Sequence, residues 1–211
     1  AIYSVGLHDV SRPMQQFAAL YPEARVQLEC LHPHKVVEAV MNDDADLGIM
    51  SYPPSGRALT VVPLRVEPMA VVCHPNHRFA RRRLVMPADL NGERFIAFDR
   101  ALPIRKAIDR ALRQHDARPQ IVMEFDNIET IKQAIIIAAG VSILPRHTVQ
   151  KEAGIRTLSA ATFGVPDLAR PVGIIYRRQK PLTPTAARFV ELLKDASAAP
   201  AERAAGERAN A

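Results

Sequence analysis

Asp126-Asn-Ile-Glu-Thr-Ile-Lys-Gln-Ala-Ile-Ile-Ile-Ala-Ala-Gly140-Val-Ser-Ile-Leu-Pro145 is the stretch from which the fold is read. Ile128, Ile131, Ile135 and Ala138 recur at helical spacing and predict one buried helix face. Asp126 and Glu129 stand three apart, as in a capping box, with Asp in the place usually held by Ser or Thr. Gly140 predicts the helix stop, and residues 141–144 a short buried strand closed by Pro145. The strand before the helix is 120–125, with Ile121, Met123 and Phe125 alternating. A helix that starts just past a strand sits where open α/β sheets bind ligands, beyond the strand's carboxyl end.

The same alternation of elements extends in both directions. Upstream, residues 94–98 predict a strand. Ile104, Ala107, Ile108, Ala111 and Leu112 then fit the i, i+3, i+4, i+7, i+8 template of an amphipathic helix, with Arg105, Lys106, Asp109, Arg110 and Arg113 opposite. Further upstream come a strand at 2–6 and a helix that Ser11 can cap, carrying Met14, Phe17, Ala18 and Tyr21 and stopped at Tyr21-Pro22. A strand at 25–31 turns Val26, Leu28 and Cys30 inward. A helix at 34–42 and strands at 46–50 and 59–66 complete this section, which reads as a parallel sheet with right-handed crossovers. Downstream, 148–153 is a weak helix and 155–158 and 172–176 are strands. Thr183-Pro184 opens a last helix with Ala186, Phe189, Val190 and Leu193 on its apolar face.

Two α/β lobes follow. Residues 1–66 with 172–195 form the first, and 67–171 the second, because the last strand and helix need a partner in the first. The chain would cross twice, near 66–68 and 166–171, as a two-segment hinge around a ligand crevice. Residues 196–211 contain no large apolar side chain and are expected to be disordered.

Composition narrows the function. The 211 residues are 48% hydrophobic, enough for a core, with no apolar run of about 18 residues for a membrane span. No secretory signal is read at residues 1–6. Cys30 and Cys73 lie in strand-like runs and read as buried free thiols in a reducing cytoplasm. The formal charge of +6, from 28 basic and 22 acidic residues, suits nucleic acid or an acidic small ligand. The basic clusters Arg81-Arg82-Arg83 and Arg177-Arg178 are short and separated, which favours a solvated surface.

Several motifs occur in order: Phe17-Ala-Ala-Leu-Tyr21-Pro22, Asp44-Ala-Asp46-Leu47-Gly48-Ile49, His74-Pro75, Asp89-Leu90 and Ala139-Gly140-Val-Ser-Ile-Leu144-Pro145. Together they resemble the effector-binding domain of LysR-type transcriptional regulators, over residues 2–195. The resemblance implies a type II periplasmic-binding-protein-like α/β fold of two Rossmann-like subdomains. It also implies a small-molecule effector in the crevice, homo-oligomers, and DNA binding through an N-terminal winged helix-turn-helix that is not seen before Ile2. In dimers of this family the helix at 11–20 would pack near the helix at 128–139 of a partner. Where the family often has Gly-x-Gly, this chain has Gly140-Val-Ser142.

Candidate ligand contacts follow the loops. Leu7, His8 and Ser11 join the first strand to its helix, whose N–H groups could bind an anion, although Ser11 also reads as a cap. His32 and Pro33 end the second strand. His32-Pro-His34 hints at metal, but further ligands at recognisable spacing are missing; the same holds for Cys73-His74-Pro75-Asn76-His77. Phe98, Asp99 and Arg100 end the strand of the second lobe, and Arg100 could pair with a carboxylate. Asp126, Asn127 and Ile128 open the helix beside it, Asp126 as cap first and contact second. Ser142 could narrow the site or donate a hydrogen bond. No nucleophile elbow, phosphate loop or dinucleotide fingerprint is present, so no catalytic residue, metal or cofactor is assigned. The expected function is effector sensing, with a small carboxylate or other anion favoured. A solute-binding protein of a transport system is the alternative, and an enzyme on this scaffold a weaker one.

Overall fold

The computed structural model describes residues 1–7 and 9–209, with side chains through residue 197. In chain order the elements are α1 (Tyr3–Gly6), α2 (Ser11–Leu20), α3 (Pro33–Met41), β1 (Gly48–Ser51), β2 (Leu59–Cys73), β3 (Leu84–Val85), β4 (Arg94–Phe98) and α4 (Pro103–Gln114). They continue with β5 (Gln120–Phe125), α5 (Ile128–Ile136), β6 (Ser142–Pro145), α6 (Gln150–Gly154), β7 (Ser159–Phe163), β8 (Ala169–Arg177) and α7 (Pro184–Ala209). They form two compact units, Ala1–Val66 with Pro171–Ala211, and Glu67–Arg170. Among the described residues no helix is long and apolar enough to cross a membrane.

In the first unit β1 runs antiparallel to β8, from Gly48 opposite Ile175 to Ser51 opposite Val172. The parallel sheet expected there is therefore corrected: the neighbour of β1 comes from the far end of the chain. The core joins Phe17 of α2, Val36 and Val40 of α3, Ile49, Ile174 and Ile175 of the strands, and Phe189, Val190 and Leu193 of α7. Phe17 meets Phe189 edge-on at 5.0 Å. Thr183 begins α7 by accepting the Ala186 N–H on its hydroxyl at 3.2 Å, and Pro184 fills the first helical position, where its missing N–H costs nothing.

Two expected strands of this unit are replaced. Residues 3–6 are a helical turn, with Gly6 N–H donating to the Ile2 carbonyl at 2.9 Å, and only Ile2 keeps a parallel bridge, to Leu31. Residues 25–30 keep the alternation foreseen, with Val26, Leu28 and Cys30 half-buried and Arg25, Gln27 and Glu29 exposed, but form no ladder. The alternation records which side faces the core; a ladder also needs a neighbouring backbone at hydrogen-bonding distance. The stretch 196–211, expected to be disordered, falls on the end of α7, which runs to Ala209. Ala, Glu and Arg are strong helix formers, and extending an anchored helix needs no new nucleus. Asn210 and Ala211 lie outside the described residues.

In the second unit β2 pairs antiparallel with β6 and β7, and β3 runs parallel to β7. β4 and β5 are parallel, and Phe95 bridges in parallel to Val141. Val71, Ile96, Ile131, Ile135, Ile143 and Leu144 are fully buried. The α5 unit differs from the reading at three points. Its cap is Asn127, not Asp126 with Glu129. The left-handed residue after the helix is Ala138, φ 58°, rather than a glycine. Gly140 serves a close approach instead: a Cβ there would stand 2.5 Å from the Arg94 carbonyl oxygen of β4. The strand expected at 155–158 begins at Ser159. Ile155 caps α6 and is 65% exposed, and Arg156 takes φ 59°, so this stretch is a helix exit.

Candidate functional site

The carboxyl ends of β4 and β5 bring two loops of the second unit together. Phe98 stands opposite Phe125, and the Asp99 N–H donates to the Phe125 carbonyl at 2.8 Å. Beyond that bond the chains diverge, as they must when each strand feeds its own helix. On the β4 side the Asp99 carboxylate accepts the Ala101 N–H at 2.8 Å, an Asx turn that swings the chain toward α4. On the β5 side Asn127 caps α5, its Oδ1 accepting the Thr130 N–H and hydroxyl, each at 2.9 Å. Asn127 Nδ2 donates to Asp126 Oδ1 at 3.0 Å. The loops thus expose Asp99, Arg100 and Asp126 beside a helix N-terminus, which favours negative charge.

Arg105 organises this edge. Spacing alone puts it on the solvent face of α4, yet it is 4% exposed. Its Nη1 donates to the Phe98 carbonyl at 2.5 Å and to Glu124 Oε1 at 3.1 Å, while Nε bridges both Asp109 oxygens at 2.8 and 2.9 Å. Burial alone would lower the guanidinium's pKa, but the Asp109 and Glu124 carboxylates outweigh it and raise it. Glu124 is in turn held below the ordinary carboxylate range, first by Arg105 and then by Arg100. Arg100 reaches Glu124 only through Nε, at 3.3 Å. Its side chain stays 79% exposed, and its Nη groups have no partner among the described residues. Arg100 is therefore the exposed cation of this edge, and Arg105 the one that fixes the strand ends.

Three other candidates of this unit have buried side chains. The Ile128 side chain is in the core. Ser142 is fully buried and donates its hydroxyl to the Ile96 carbonyl at 2.7 Å, tying β6 to β4, so its side chain is turned inward rather than toward the loops. Phe98 is buried as well. Lys132 of α5, unremarked in the sequence, is buried and pairs with Glu129 at 2.9 Å and Glu152 at 2.8 Å.

In the first unit Leu7 is 56% exposed at the end of α1. Ser11 is exposed at the first position of α2 and caps nothing; the N-cap is Val10. His8 lies outside the described residues. His32 is the N-cap of α3 with Pro33 at its start. The His32 ring stands edge-on to Tyr3 and stacked with His34, at 6.0 Å each, an aromatic cluster in the place of the suspected His-x-His metal pair. Asp9, two residues before α2, accepts from Arg65 at 2.6 Å.

The second suspected metal cluster is likewise used for turns. His74 Nδ1 accepts the Asn76 N–H at 3.2 Å, and His77 Nδ1 accepts the Phe79 N–H at 3.2 Å. Cys73 beside them is free and buried; burial first, and then Glu93, push its thiol up to about 11. It is neutral near pH 7.

Residues 1–198 match the family described as LysR substrate binding domain, and the chain belongs to that family. It is 28% identical over 197 residues to the HTH-type transcriptional regulator CbbR of Rhodospirillum rubrum, covering 93% of this chain and 65% of the relative. It is 27% identical over 196 residues to the probable RuBisCO transcriptional regulator of Synechocystis sp., covering 90% and 57%. The chain thus spans less than two thirds of these relatives' length. Among solved structures, the regulatory domain of Synechocystis CcmR in complex with 2-PG superposes with a TM-score of 0.83 at 24% identity, covering 93% of this chain and 94% of that one. The effector binding domain of QuiR in complex with shikimate gives 0.79 at 18%, covering 92% of each. The fold is therefore that of the LysR regulatory domains, type II periplasmic-binding-protein-like, and the transport reading finds no support among these relatives.

Proposed function

We propose that this chain is the effector-sensing domain of a LysR-type transcriptional regulator, and that its effector is a small anion recognised at the carboxyl edge of β4 and β5. The observation that carries the reading is the Asp99–Phe125 bond, which sets Arg100 beside the Asn127-capped N-terminus of α5. Arg100 supplies a planar cation with unused N–H groups, and the helix start supplies favourable partial charge. Leu7 at the end of α1, Ser11 at the start of α2, and His32 and Pro33 at the start of α3 are candidate contacts on the first unit, taken by itself. Domains of the same fold have been captured with 2-PG, shikimate and benzoate, which supports a small-molecule site. DNA binding belongs, in this reading, to a part of the protein outside this chain, and the relatives' names as transcriptional regulators support it.

Effector binding shifts the domain between states only by its differential affinity for them. The readout reaches DNA through a homo-oligomer that uses the outer face of α2 and the end of α5, where Leu20 is 62% exposed and Ile137, just past α5, 73%. Light scattering of the chain tests that part: a monomer at all concentrations, or a dimer indifferent to Leu20→Glu and Ile137→Glu, refutes it. The site is tested by thermal shift against benzoate, shikimate, 2-PG and other small organic acids. A ligand at about 100 times its dissociation constant should stabilise the chain by about 2.7 kcal/mol. The expected result is a saturable shift for one class, lost in Arg100→Ala with the unliganded melting temperature unchanged. A shift that survives Arg100→Ala rejects this edge as the site.

A further inference from the structure

The first unit contains a cavity of about 500 Å³, built wholly from its own residues. Its inner wall is apolar and belongs to the hydrophobic core: Val10, Phe17, Val36, Ile49 and Phe189, each under a tenth exposed. Charged side chains line only its rim, where Arg25, Glu29, Asp44 and Asp46 are exposed to solvent. The pocket opens to solvent at that rim, so water lies against its apolar floor and an apolar occupant would release it. Its volume is that of a small-molecule pocket.

A second observation concerns the roof. Residues 25–29 line the cavity, yet among the described residues they enter no ladder. The segment is held near its two ends, by the Ala24 N–H on the Tyr21 carbonyl at 2.9 Å, and by the Ala1 ammonium on the Glu29 carbonyl at 2.7 Å with the Leu31 N–H on the Ala1 carbonyl at 2.8 Å. A cover held at two ends can lift and admit a molecule without breaking a sheet.

We propose that this cavity is a second ligand site, distinct from the β4–β5 edge, and that it takes a neutral molecule with a ring-sized apolar body. The inner wall offers no charged side chain, so an ion would lose its hydration without gaining a partner. An apolar body gains by contact with Phe17, Val36 and Phe189, and any polar group it carries would point to the rim. The regulator would then respond to two chemically different small molecules, one at each unit.

Indole is the neutral probe and benzoate the charged comparator. Titration by calorimetry should show saturable indole binding. Ala39→Phe and Ala186→Leu, each adding bulk from a different wall of the cavity, should raise the melting temperature and weaken indole binding about tenfold or more. Arg100→Ala should leave indole binding as it was, which separates this site from the anion site whatever the fate of the latter. Amides of residues 25–30 should exchange quickly in the free chain and more slowly with indole bound. The proposal is overturned if indole fails to saturate, or binds both filled variants unchanged. It is equally overturned if both variants lower the melting temperature while the 25–30 amides are already protected, since the segment would then close as a packed strand over a filled core.

Discussion

Residues 25–31 of the first unit and 120–125 of the second carry the same kind of sequence, alternating and followed by a loop and a helix, yet only the second becomes a ladder. β5 has β4 beside it in parallel register from Arg94–Gln120 to Phe98–Phe125. Arg105 then fastens both strand ends at once, through the Phe98 carbonyl and Glu124. The segment 25–31 has one bridge, Leu31 to Ile2, and a cavity beneath it. Alternation specifies which face is inward. Pairing depends on what the rest of the chain delivers alongside: β5 has β4, with a buried arginine fastened to both strand ends, and residues 25–30 have no strand beside them.

Core truncation should expose this contrast most strongly. Ile96→Ala, at a fully buried position of β4, should cost about 2–5 kcal/mol by urea denaturation. Leu28→Ala, half-buried over the cavity, should cost about 1 kcal/mol or less, because its transfer term is small and no new void is made. Equal costs would mean that the segment is as tightly packed as β4. Next comes Arg105→Ala, which should destabilise by about 3 kcal/mol, since it strands the Phe98 carbonyl and leaves Asp109 and Glu124 without their buried cation. A loss under about 0.5 kcal/mol, typical of a surface change, would return Arg105 to the solvent face that its spacing suggested.

Asn127→Ala removes the cap of α5 and should cost about 1 kcal/mol, whereas Ser11→Ala at the uncapped start of α2 should be near neutral. If Ser11→Ala costs as much, Ser11 is the working cap after all. The smallest effect is in pH. Glu124 has its pKa lowered in the fold, chiefly by Arg105, so its contribution is present above the ordinary value of 4.5 and is lost as pH falls through the lowered one. Melting temperature should therefore drop on acidification below about pH 4.5, and Glu124→Gln should flatten part of that drop. A slope identical in the variant would assign the acid sensitivity elsewhere, Asp89 held by Arg82 being the next candidate.

The elements legible in the sequence were those whose periodicity is strong and whose partners are near in the chain. β4 and the apolar face of α4 are legible residue by residue, and Thr183-Pro184 marks the start of α7. The family was legible too, because a set of short motifs in fixed order constrains more than any one of them. The site was legible only as loop positions. Arg105 escapes a helical wheel, which assigns it by angle alone. Its long side chain reaches past the apolar stripe to the strand ends, and Asp109 at i+4 was the one local sign of this. Ser142 stands out as a hydroxyl among apolar residues, but its acceptor, the Ile96 carbonyl, lies 46 residues away.

By itself, then, the sequence determined an α/β chain of the LysR effector-binding kind, the helices with clear apolar faces, and the loops on which a ligand site could stand. Those depend on side-chain order along the chain. Only the tertiary structure decided that β1 runs against β8, that Asn127 rather than Asp126 caps α5, that Gly140 makes room for the Arg94 carbonyl, and that residues 25–30 stay out of a ladder above a cavity. Each of these turns on a distance between groups far apart in sequence, and such distances are set by packing rather than by local order.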